Sequence, residues 1–240
     1  MSSILESVPW GKPALDLIKH AKDLDPERPA VIHIRHSERP TMDLDKDALV
    51  MPLSPRGEKA SYELGNSLPI TRKYYFYHTD RERTVTTASK IQHGIRDNSG
   101  IAEIVGEIPL VTIIDVEEAS KIIRGLNIRD DYQRAKILFN SWMSGFYPSW
   151  VIKPFTDFGQ TGAYLMQKYL RGAESNDVHV WVTHENWVAA FLMQWLGDFD
   201  FDWVSFLDGF ILQFYDDHMM AYFRDSKKKL NYPYWWNSME

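Results

Sequence analysis

The chain has 240 residues, 44% of them hydrophobic and 25% charged, and its 27 Lys plus Arg against 33 Asp plus Glu leave a net charge of −6. That balance fits one ordinary globular domain and lacks the basic footprint of a nucleic-acid binder. The absence of cysteine excludes a disulfide scaffold, a thiolate nucleophile and a cysteine-ligated metal.

Met1 to Trp10 has neither the basic start nor the apolar core of a signal peptide. No apolar run approaches the ~20 residues of a membrane span, so the expectation is a cytoplasmic protein without a membrane partner. Ala30 to Ile34 is a β-branched apolar run and predicts a buried strand. Ser54-Pro55 predicts a helix start, with serine capping and proline in the first turn. That helix should run to about Leu68, with Ala60, Leu64 and Leu68 on one face. Tyr74 to Tyr77 predicts a second strand, followed by His78-Thr79-Asp80 and a helix from about Arg81 past Ile91.

From about Ile101 to Arg171 the pattern is mostly helical, with weak strand content at Leu110 to Ile114. Asp130 to Trp142 and Phe158 to Leu170 are the clearest helices there. Asp177 to Thr183 predicts a third strand, ending at His184-Glu185-Asn186, with a helix from Trp187 to Leu196. Gly209 to Tyr215 and Met219 to Phe223 suggest a hairpin turning at Asp216-Asp217-His218. Lys227-Lys228-Lys229 is expected as a solvated turn, and the tail Tyr232 to Trp236 as surface packing. The whole reads as α/β: a Rossmann-like three-layer sandwich with a mixed, mostly parallel sheet flanked by helices. It is one domain over 1–240, with a small helical cap insertion at about 100–170.

Three strand-to-helix junctions carry polar, chemically active residues. Sites in open α/β sheets collect at the carboxyl ends of strands, which would bring Arg35, His36, Arg39, Arg83, His184 and Glu185 to one crevice. Arginine suits a phosphate monoester because its planar fork donates paired hydrogen bonds and stays charged. Helix N-termini expected near residues 37 and 186 could add backbone donors. One neutral imidazole could attack phosphorus while the other holds its oxygens. A carboxylic acid could protonate the leaving oxygen and then activate water; Glu185, beside His184, is the best placed.

Four segments, in order, resemble the histidine phosphatase superfamily, and within it the acid-phosphatase branch. Arg35-His36-Ser37-Glu38-Arg39 resembles the Arg-His-Gly-x-Arg signature. Leu53-Ser54-Pro55-Arg56-Gly57 with Tyr62-Glu63-Leu64-Gly65 resembles the Leu-Thr-x-x-Gly helix. Thr79-Asp80-Arg81-Glu82-Arg83-Thr84 with Ala88 resembles the Thr-Asp-x-x-Arg-Thr segment. Thr183-His184-Glu185-Asn186 resembles the His-Asp pair near the C-terminus.

The resemblance implies a phosphoglycerate mutase-like fold and a metal-independent phosphomonoesterase without a cofactor. His36 would be the nucleophile, with phosphate bound by Arg35, Arg39, Arg83 and His184, and Glu185 in the place of the aspartate donor. The substrate would be a small phosphorylated metabolite and the product inorganic phosphate; the oligomeric state stays open. Ser37 departs from the usual glycine, and glutamate is one methylene longer than aspartate. The other branch of the superfamily takes its donor glutamate from the central segment, so Glu103 and Glu107 are reserves.

Other readings stand beside these. Glu185 could cap its helix, His78 is read as a strand-end cap, and His33 faces away from the crevice by strand alternation. His33, His36 and His184 as metal ligands would face three repelling arginines. Trp142, Trp150 and Phe155 could belong to the core of the cap or line the substrate mouth. A phosphomutase using the same phosphohistidine, or a non-catalytic phosphate-binding module, are the competing functions.

Overall fold

The computed structural model describes residues 3–41, 50–197, 203–233 and 236. Its strands are β1 (Ala30–Arg35), β2 (Lys73–His78), β3 (Ile101–Glu107), β4 (Asp177–Thr183), β5 (Gly209–Phe214), β6 (His218–Phe223) and β7 (Ser226–Asn231). They form one sheet in the order β3-β2-β4-β1-β5-β6-β7. The first four run parallel and β5 to β7 antiparallel. β1 and β4 are buried at every position, as central strands covered on both faces must be.

On one face pack α1 (Ile4–Ser7), α2 (Lys12–Lys22), α3 (Pro55–Ser67) and α4 (Glu82–Asp97) over Ile32, Ile34, Phe76, Val180 and Val182. On the other, α7 (Phe155–Leu170) and α8 (Glu185–Gln194) bury Phe158, Leu165 and Phe191 against Val31, Trp181 and Phe210. Side-chain alternation along β1 and β4 feeds both cores. Ser54 caps α3 by accepting the Gly57 N–H at 3.0 Å, with proline in the first turn as expected. Helices α3 and α4 approach backbone to backbone: a Cβ on Gly65 would sit 2.0 Å from the Ile91 carbonyl oxygen.

Several expectations need correction. Residues 101–107 are a strand, not helix: β3 pairs in parallel with β2. As an edge strand it leaves Ile101 and Val105 exposed, so the sequence lacks a continuous apolar run. Residues 110–114 contribute one isolated bridge, Ile113 to Ile152. No helix starts at residue 37: residues 36–41 have no regular secondary structure, and the Ser37 N–H is taken by Thr87 Oγ1 at 3.0 Å. Lys227-Lys228-Lys229 lie in β7 rather than a turn, where exposed lysines keep a sheet edge from pairing with another chain. Trp236 is buried, stacked on Phe214 and edge-on to Trp195; Tyr234 and Trp235 lie outside the described residues. Sequence reading passed over α2, although Ala14, Leu17, Ile18 and Ala21 carry the helical apolar spacing.

The connection between β3 and β4 also contains α5 (Val116–Gly125) and α6 (Asp131–Met143). α6 contributes Phe139 and Trp142 to the second core, and no α5 residue belongs to either core. Among the described residues, no helix is long and apolar enough to cross a membrane.

Candidate active site

The site grows from the carboxyl ends of adjacent parallel strands. Arg35 pairs with Thr183, and His78 with Val182. The residues just past β1 and β4, His36 and His184, therefore emerge side by side, with ring centroids 5.5 Å apart. Arg83 stands in the first turn of α4, which follows β2.

The backbone around His36 is pinned. Its N–H donates to the Thr183 carbonyl at 2.9 Å, and the Arg35 N–H to the Asp208 carbonyl at 2.9 Å. Ser37 Oγ donates to the Gly57 carbonyl at 2.7 Å, so serine in place of glycine adds an anchor between this loop and α3. Gly57 itself is required there, since a Cβ would lie 2.2 Å from the Glu38 carbonyl oxygen. Below the site His33 is fully buried, with Nε2 2.6 Å from Thr183 Oγ1 and its ring packed on Trp181, Phe191 and Phe210. It supports the site from the core, as alternation implied.

Hydrogen bonds fix both tautomers. His36 Nδ1 lies 2.7 Å from the Ser37 carbonyl. A carbonyl can only accept, so Nδ1 carries the proton and Nε2 holds the lone pair. Arg83 Nε donates to that Nε2 at 3.0 Å. Arg83 also reaches His184 Nδ1 at 3.3 Å; arginine can only donate, so the His184 proton is on Nε2. That proton goes to Thr79 Oγ1 at 3.0 Å, Thr79 Oγ1 meets Thr84 Oγ1 at 2.9 Å, and Thr84 ends the relay on the Arg81 carbonyl at 2.7 Å.

Electrostatics keep both rings neutral. Burial, then Arg83 and Arg35 for His36, and burial, then Arg83 for His184, hold both well below the ordinary histidine value. Burial lowers Arg83 to about 10. Burial would raise Glu185, but the Arg35 and Arg39 cations hold it at about 2. Arg35 Nε is 3.0 Å from Glu185 Oε2, a charge contact rather than an aligned hydrogen bond.

These shifts predict acid lability. His33, lowered by burial to about 3, and His36 and His184 stay unprotonated in the fold where an unfolded chain would take up protons. A depressed folded value means stability is complete above about pH 6.5 and is lost as pH falls below it, by ~1.4 kcal/mol per pH unit for each histidine. Melting temperature should therefore be nearly level from pH 7 to about pH 6.5 and fall from there to pH 5, and His33→Gln should flatten that slope. A constant melting temperature across this range would mean the histidines are already charged in the fold.

His36, Arg39, Arg83, His184 and Glu185 all line one cavity of about 240 Å³. Arg35 does not line it. It lies behind, donating to the Val204 carbonyl at 2.8 Å, with its guanidinium 4.3 Å from the Phe206 ring centroid. Arg39 is tied to Asp131 of α6 at 3.0 Å. Glu107, at the carboxyl end of β3, lines the cavity, whereas Glu103 does not. Trp142 lines it too and is also core, Phe155 packs against that core, and Trp150 is exposed. Sequence reasoning missed Asp131, Arg134 and Thr79 as site neighbours. The position of Thr79 after β2 was a usable signal, and nothing local marked the other two.

No protein-family model matches this chain, and no curated protein matches it in sequence. Solved structures do match in three dimensions. Bacillus stearothermophilus YhfR aligns with a TM-score of 0.59 at 13% identity, over 82% of this chain and 97% of that one. The alpha-ribazole phosphatase from Shigella flexneri gives 0.53 at 15% identity, over 85% and 96%. A phosphoglycerate mutase from Bacillus anthracis gives 0.53 at 12% identity, over 86% and 94%. The chain thus has the phosphoglycerate mutase-like fold that these structures share.

Proposed function

We propose that this chain is a phosphomonoesterase of the histidine phosphatase superfamily, hydrolysing a small phosphorylated metabolite through a phosphohistidine on His36, without a metal. One observation carries the reading: the His36 Nε2 lone pair is held on an arginine, Arg83, that also touches His184, at the head of a cavity large enough for an ester. The segment 108–154 is the proposed cap. It is narrower than the 100–170 expected, since β3 belongs to the sheet and α7 packs on the core.

An incoming phosphate dianion draws the Arg83 N–H groups from the imidazoles onto its oxygens and frees Nε2. Nε2 attacks phosphorus, the bond to the leaving oxygen breaks, and a carboxylic acid protonates that oxygen. Water then attacks phosphorus, the carboxylate takes its proton, and the N–P bond breaks to release inorganic phosphate. The dianion also offsets the arginine charge that disfavours protonation of His184 and Glu185.

Two tests follow. Hydrolysis of p-nitrophenyl phosphate should survive strong chelation; loss with EDTA and recovery with a divalent cation would overturn the metal-free mechanism. Among the described residues, no group of three His, Asp or Glu side chains is arranged to hold a metal. Glu185→Gln should lower kcat on alkyl phosphates by about 10²–10⁴-fold and on p-nitrophenyl phosphate far less, because only the alkoxide needs a proton. Should Glu107→Gln show that selectivity instead, Glu107 is the donor and Glu185 serves to balance Arg35. Release of inorganic phosphate, rather than transfer to a second acceptor, separates phosphatase from mutase.

A further inference from the structure

We infer that the substrate is a phosphate ester of an apolar alcohol or phenol, not of a sugar, nucleoside or hydroxy acid. This inference rests on the phosphomonoesterase reading and adds the class of leaving group. The cavity has two sides. On the sheet side, its polar lining comes from the strand ends and the helices that follow them: His36, Arg83, His184 and their neighbours. That is the phosphate end. The other side is built by 108–154, where Ile108, Leu110, Ile123, Leu138, Trp142 and Ile152 form the wall.

Apolar lining alone is common in pockets, and core packing is the obvious alternative explanation. It accounts for Ile108, Leu110 and Trp142, which belong to the second core. It does not account for Ile113, Ile122, Ile123 and Leu138. These four line the cavity, stay only half-buried and belong to neither core. Helix α5 makes the point most clearly. Val116, Ala119 and Ile123 line the cavity, while Lys121 pairs with Glu117 and Glu118 away from it. Its apolar face has the cavity as its partner.

Most polar side chains of this wall already have partners within the protein. Thr112 Oγ1 accepts from Trp187 Nε1 at 2.9 Å, and Trp142 Nε1 donates to the Lys153 carbonyl at 2.7 Å. Arg134 donates to the Ile128 carbonyl at 2.5 Å and to Asp131, which also holds Arg39. Tyr147 is the remaining polar side chain on that side. A polyhydroxylated leaving group would shed water against this wall and find few partners, at a cost on the order of tenfold or more in affinity per unsatisfied hydroxyl. An alkyl or aryl group loses nothing there and gains roughly fourfold per buried methylene. Asn186 Oδ1 is buried without a partner beside His184 and offers an acceptor close to the phosphate, on the sheet side of the cavity rather than on the apolar wall.

The test compares ethyl, butyl and hexyl phosphate with glycerol phosphate, glucose 6-phosphate and 3-phosphoglycerate, with chelator present and His36→Ala as the blank. We expect kcat/KM to rise on the order of a hundredfold from ethyl to hexyl phosphate and to exceed that for every hydroxylated ester. Ile123→Asn should cut the rise to below tenfold. Turnover that depends on His36 but is flat along the alkyl series, or faster on a hydroxylated ester, overturns the inference and leaves the phosphatase reading standing. Absence of His36-dependent turnover on both series removes that reading and this inference with it. The wild-type series decides the matter even if Ile123→Asn fails to fold.

Discussion

His36→Ala is expected to lower kcat by about 10⁴-fold or more, since it removes the covalent route rather than weakening it. The fold should survive. The side chain is neutral and buried, and the bonds that pin this segment run through backbone groups of residues 35–37 and through Ser37 Oγ. Its lost bond to the Ser37 carbonyl should cost about 1 kcal/mol. Wild type mixed with labelled substrate and quenched at alkaline pH should carry label on His36; the variant should carry none. Near-normal kcat in a folded variant would remove His36 from the chemistry.

Arg83→Ala should lower kcat/KM on the order of a thousandfold, at the upper end for loss of one charged donor. Among the described residues, Arg83 is the one side chain bonded to both imidazoles, at 3.0 and 3.3 Å. Arg83→Lys should recover only part of the activity, because a single ammonium cannot fork between two positions. Phosphate and vanadate inhibition should weaken in parallel. Arg83 is buried, attracted by the Glu185 carboxylate and repelled by the cations Arg39, Arg35 and Arg81. Its removal relieves that repulsion but gives up the attraction to Glu185 and both imidazole bonds, so the melting temperature is measured beside the kinetics to separate lost chemistry from lost fold. Retention of kcat/KM within tenfold would place the phosphate elsewhere.

Much of this was legible in the chain. β1 and β4 are central strands buried on both faces, and such strands must be almost wholly apolar, so they stood out as runs. Ser54-Pro55 announced α3 because capping is decided by adjacent residues. The order of the strand-end motifs pointed to His36, Arg83 and His184 because each lies one to five residues beyond a strand, and the sheet does the rest. Edge strands were hidden for the converse reason. β3 and β7 are solvated on their open sides, tolerate Glu and Lys, and show no apolar run.

The sequence by itself pointed to the strand-end residues His36, Arg83, His184 and Glu185, since parallel strands deliver their carboxyl ends to one side, but it misplaced Arg35 and missed Asp131 and Arg134. Only the tertiary structure decided what each does there. Both histidine tautomers follow from a carbonyl and a guanidinium brought into range by packing. Arg35 sits behind the cavity on Phe206 and Glu185, and Arg39 is tied to Asp131 on a helix 92 positions away in sequence. The choice between Glu185 and Glu107 likewise turns on position. A carboxylate's role is set by the charges around it, and here folding placed arginines against Glu185 and left Glu107 at the end of an edge strand.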